Sequence, residues 1–147
     1  MSSQPKPLAM AQAIPTKTAP AYLPCQDYQC AASDLVQKME SVLADIKSYD
    51  DGEPPASASA KQRATLIINA ASQWIKIPMG SIVPFDGGIQ IAWRFDDRHV
   101  RLFCAATESE ESYIYKAVTK NERRTESEMI QFDAVLLAQH LRWAQNL

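Results

Sequence analysis

No apolar stretch in the 147 residues approaches the ~18–20 consecutive positions that a helix needs to cross a bilayer. Cysteine is scarce and odd in number. Cys25, Cys30 and Cys104 make three, a poor disulfide framework that fits reduced thiols in a cytoplasmic protein. Neither sign of charge dominates: Lys plus Arg is 15 and Asp plus Glu is 17, a net −2. Bulk charge therefore argues against a polybasic nucleic-acid binder or a membrane-surface protein. Familiar catalytic patterns are missing as well, since no GxGxxG, Walker A, HExxH, GxSxG or CxxC occurs. An export signal is not expected either, because Pro5, Pro7, Pro15, Pro20 and Pro24 interrupt any apolar h-region.

What remains is an ordinary globular composition, 46% apolar and 22% charged, long enough to bury one core without metals or disulfides. The prolines mark residues 1–30 as an extended arm, with Leu8, Met10, Ile14, Tyr22 and Leu23 as apolar anchors for a partner. Residues 31–147 then read as one α+β domain. A first helix is predicted from Ser33, as N-cap, to Tyr49, with Leu35, Met39, Val42, Leu43 and Ile46 in one stripe. Asp50-Asp51-Gly52 ends it and Pro54-Pro55 prevents re-entry. A second helix is predicted over Ser59–Ile75, opened by a Ser59–Gln62 capping box. Its buried face holds Ala60, Ala64, Ile67, Ile68, Ala71, Trp74 and Ile75.

The apolar period then drops from about 3.6 to 2. Ser81–Pro84, Ile89–Phe95, His99–Ala105 and Ser112–Val118 read as four strands joined by short turns, hence an antiparallel meander. Asp86-Gly87-Gly88 is the strongest turn signal. Thr119–Thr125 reads as a charged connector, and a final helix is predicted over Ser127–Gln145 behind a Thr125–Glu128 capping box. The expected architecture is two N-terminal helices, a four-stranded antiparallel meander and a C-terminal helix in two layers.

Candidate chemistry is thin. Cys25, Cys30, His99 and Cys104 lack the close ligand pairs of a zinc site. His99 and Cys104 should point to opposite faces of one strand, which opposes a dyad. No metal or cofactor is expected. Asp50, Asp51 and Glu53 fit a solvated turn better than an acid–base pair. Arg94, Arg98, His99 and Arg101 are interleaved with Asp96 and Asp97, so cross-strand pairing is expected before phosphate binding.

The segments YDDGEPPASASAKQRA and IVPFDGGIQIAW, followed by strands ending in YIY, carry a resemblance. The matching positions are Asp51, Gly52, Pro54, Pro55, Pro84, Asp86, Gly87, Gly88, Ile89 and Trp93. The chain resembles, over a little under half its length, a set of small uncharacterised bacterial and phage-associated proteins. These share a helix, a DG-x-P-P segment, a second helix and a P-x-DGGI-x-I-x-W hairpin. The resemblance implies a fold type and a prokaryotic setting, not a reaction.

The leading functional expectation is a non-enzymatic protein-interaction module, in one form an accessory or antitoxin-like partner of another bacterial protein. The expected partner is a protein or a second copy of the chain. The expected surface comprises Trp93, Arg94, Arg98, Arg101, Phe103, Tyr113 and Tyr115. One alternative is single-stranded nucleic acid on the sheet face, with Arg94, Arg98, Arg101, Arg123 and Arg124 as the basic residues, although the net charge opposes it. The other is a small enzyme built on Asp51, Glu53, Arg94 and His99.

Overall fold

The computed structural model describes residues 24–147, with side chains from residue 27 onward. The expected anchors Leu8, Met10, Ile14, Tyr22 and Leu23, and most of the expected arm, lie outside the described residues. Pro24 to Cys30, by contrast, belong to the first helix, α1, which runs Pro24–Ala44. Ser33 is thus an interior residue and not the N-cap. Proline at the first helical position is favourable, because its missing amide would have had no intrahelical acceptor.

A short 3₁₀ turn, Ile46–Ser48, follows α1, with Asp45 accepting from the Lys47 amide. Ile46, expected in the buried stripe, is 84% exposed because it lies beyond the helix end. Helix α2 spans Ala58–Ala71. Its N-cap is Ser57, whose hydroxyl accepts from the Ala60 amide at 3.0 Å, so the expected cap at Ser59 is displaced by two residues. Ser59 Oγ instead accepts from Arg63. Trp74, expected on the buried face, falls past the helix end and is exposed.

Five strands follow: β1 Ser81–Phe85, β2 Gly88–Phe95, β3 Arg98–Cys104, β4 Tyr113–Lys120 and β5 Arg123–Gln131. They pair antiparallel in chain order. The last helix, α3, spans Ala134–Gln145 and is capped by Asp133, which accepts from the Leu136 amide at 3.0 Å. The α+β antiparallel architecture therefore stands, with one correction. The stretch expected as a charged connector and the start of the final helix holds the end of β4, a tight turn and a fifth strand. Asn121 and Glu122, both at positive φ, form the tight turn that folds it back on β4. That backbone sense matches the twist of a two-residue hairpin.

The β1–β2 turn uses the same geometry at Asp86 and Gly87. Gly88 opens β2 where a Cβ would stand 2.7 Å from the Cys104 carbonyl oxygen, so only glycine admits the close pairing there.

One face of the sheet meets the helices. Ile82, Ile89, Ile91, Trp93, Val100, Leu102, Cys104 and Ile114 are buried against Leu35, Met39, Ile68, Leu137 and Leu141. Helix α1 packs on β1, while α2 and α3 pack on β2 and β3. Each large aliphatic side chain so buried contributes roughly 1.5–3 kcal/mol. The small residues Ala60, Ala64 and Ala71 let α2 approach closely. Among the described residues, no helix covers the opposite face.

Candidate interaction face

Strand alternation sorts the expected surface residues into two groups. Trp93 is on the helix side, 2% exposed, with its indole N–H donating to the Pro78 carbonyl at 2.7 Å. It is a core residue, and its expected place on the interaction surface is corrected. Burial removes any large ring from solvent, and the carbonyl satisfies its one donor. Arg98 also departs from the expected surface. It points to the helix side at the sheet end, donates to the Trp143 carbonyl and to Asn146 Oδ1, and lies 5.0 Å from the Trp143 ring centre. Arg98 thereby closes the C-terminus of α3, where carbonyls have no intrahelical donors.

Arg94, Arg101, Phe103, Tyr113 and Tyr115 do share the outer face. Their neighbours there are Val83, Phe85 and Met129, which are 48%, 57% and 56% exposed. Phe85 meets Phe103 edge-on with ring centres 6.2 Å apart, and Phe103 lies 5.2 Å from Tyr113. Tyr115 carries two guanidinium groups, Arg101 at 5.7 Å and Arg124 at 6.0 Å. Arg124 was expected only for nucleic-acid binding. It reaches this face because the β4–β5 register shifts between Val118 and Thr119. None of the outward strand positions is Asp or Glu. The chain is acidic overall, so its carboxylates lie elsewhere. The ion pair found among the described residues, Lys116–Glu128 at 3.8 Å, is on the helix side.

His99 is half-buried between Arg94 and Arg101 on this face, and its Nε2 is shielded with no hydrogen-bond partner among the described residues. Burial, then the two guanidinium groups, hold its pKa below the usual imidazole value, with Asp97 opposing. Both the missing partner and the cationic neighbours favour the neutral ring.

The enzyme alternative loses its geometry. Glu53 accepts from the Asp50 amide at 2.9 Å and from the Asp86 amide at 3.0 Å, which ties the loop after α1 to the β1–β2 turn. Arg94 lies at the far end of β2 from that turn, roughly 20 Å away at the rise of an extended strand. Asp51 and Glu53 therefore do not share a site with Arg94 and His99. Cys104 is buried on the helix side and His99 faces outward, as alternation requires. The described residues contain no cluster of His, Cys, Asp and Glu fit to hold a metal. They also contain no helix long and apolar enough to cross a membrane.

Compared with protein-family models, curated protein sequences and solved structures, the chain has no match.

Proposed function

We propose that the protein is a non-enzymatic interaction module whose open sheet face docks an acidic segment of a partner protein. One observation carries this reading: a face mixing exposed Val83, Phe85 and Met129 with Arg94, Arg101 and Arg124, and free of outward carboxylates. Aromatic residues, Met and Arg are the types enriched at protein interfaces. Like charge disfavours stacking two copies of this face, so an acidic partner fits better than a second copy.

A second reading, single-stranded nucleic acid, is favoured by the same arginines. The rings speak against it. Phe103 and Tyr113 pack on each other, and Tyr115 already lies within reach of two guanidinium groups. A base would have to displace these neighbours to stack.

The test is co-purification from the native host with three variants, Phe85→Ser, Arg101→Glu and Arg124→Glu. All three positions are exposed, so the fold should change by no more than about 0.5–1 kcal/mol. Each should weaken partner retention by ~2 kcal/mol, about thirtyfold. Glu40→Ala, exposed on the helix side, should retain the partner. Equal retention by all four variants would remove the face from the interaction. Salt-sensitive capture of single-stranded oligonucleotide in place of a protein would favour the second reading.

A further inference from the structure

Strand β1 begins at Ser81, opposite Ala92, so Trp93 to Phe95 of β2 have no β1 partner. This leaves a notch at the sheet edge that opens into a cleft of about 470 Å³. Its walls bring together Lys38 of α1, Arg94 of β2, and His99 and Arg101 of β3. None of the cleft's lining residues is Asp or Glu. The three permanent cations come from three different elements, and none has a carboxylate partner among the described residues. Lys38 is held in place by donating to the Gly80 carbonyl at 2.8 Å, and Arg94 Nε donates to the Asp96 carbonyl at 3.2 Å. Both contacts use neutral backbone acceptors and leave the positive charges uncompensated. The unpartnered His99 Nε2 belongs to the same group.

Three cations lining one cleft, Arg94 and Arg101 on the outer face of adjacent strands and Lys38 at the Gly80 edge, suit a compact anion with several equivalent oxygens. A carboxylate, with two oxygens in one plane, needs only a single guanidinium fork. The volume lies within the roughly 300–1,000 Å³ range of small-molecule sites, so there is room beyond one phosphoryl group along Met79, Ala92 and Phe95. We propose that this cleft binds the phosphoryl group of a small phosphate monoester, held by Lys38, Arg94 and Arg101. The site goes beyond the partner-docking reading and does not require it, because the ligand binds the isolated chain.

His99 supplies the readout. The charged groups acting on it are Arg94 and Arg101, which depress its protonation, and Asp97, which favours it. A dianion beside Arg94 and Arg101 would offset their field and raise the pH at which the ring titrates. The experiment is an NMR titration of the His99 ring, with binding followed by calorimetry at constant ionic strength. The probes are inorganic phosphate, a nucleoside monophosphate and acetate. Saturable binding of both phosphates is expected, with a rise of about half a pH unit or more in the His99 midpoint. The Arg94→Gln/Arg101→Gln variant should bind at least about tenfold more weakly. Both substituted positions are exposed, and an unchanged thermal transition would confirm that the variant is folded.

Phosphate without saturation, acetate as tight as phosphate, or undiminished binding by the double variant would each overturn the site. So would affinity that appears only with single-stranded oligonucleotides and grows with their length. Because no partner protein enters the experiment, failure here leaves the docking of an acidic partner to be judged by co-purification.

Discussion

Cys104 shows how a single residue records its surroundings. Its burial on the helix side pushes the thiol up to about 12, from an ordinary 9.0, with Arg63 opposing. The unfolded thiol ionises near 9.0 while the folded one keeps its proton. Unfolding therefore releases a proton above that pH, and the associated stability is complete below it and lost as pH rises toward 12. The expected slope is at most about 1.4 kcal/mol per pH unit. Urea unfolding of the wild type and Cys104→Ala between pH 8 and 10 should show this slope only in the wild type. Exposed Cys30 should react with iodoacetamide in the folded protein, and Cys104 should not. Glu122 is a second informative residue. It adopts φ 63° in the β4–β5 turn, a conformation that costs a non-glycine residue roughly 1–2 kcal/mol. Glu122→Gly should stabilise the protein by up to about 1 kcal/mol, measured as a higher urea midpoint at unchanged slope.

Among the elements, the two capped helices should answer differently to loss of their caps. Asp133→Ala removes one bond at an exposed N-terminus and should cost about 1 kcal/mol. Ser57→Ala should cost more, about 2 kcal/mol, because the Ser57 hydroxyl also donates to the Ala106 carbonyl at 2.6 Å. Thermal unfolding of the two variants checks the order. These elements also show what periodicity can reveal. Ile89, Ile91 and Trp93 alternate with Gln90, Ala92 and Arg94, and β2 was legible because each apolar residue is in fact buried. Strand β5 was not. In RRTESEMIQ only Ile130 is even half-buried, so no alternating pattern exists to be read. Its charged residues and Thr125–Glu128 spacing imitate a helix start. The strand forms because Asn121 and Glu122 turn the chain back and backbone hydrogen bonds to β4 need no particular side chains.

At the scale of the whole molecule, helices buttress β2 and β3 while β5 pairs with β4 alone at the sheet edge. Native-state hydrogen exchange should therefore be slowest in β2 and β3 and markedly faster in β5, where opening exposes almost no apolar surface. Equal protection across all five strands would mean that something else covers the β5 edge. The amino-acid order alone determined the order of the helices about the strands, though not their bounds, the α+β class and the hairpin at Asp86-Gly87, since propensity, capping and burial period act between residues a few positions apart. Tertiary structure decided what lies far apart in the chain. It turned Trp93 and Arg98 toward the helices, left Arg94, Arg101, Phe103, Tyr113 and Tyr115 on an open face, and carried Arg124 onto it through a register shift. It also brought Lys38, Arg94 and Arg101 to the lining of one cleft. The physical reason is that a one-dimensional pattern records whether a residue is apolar, while the side of the sheet it occupies follows from strand register and helix packing.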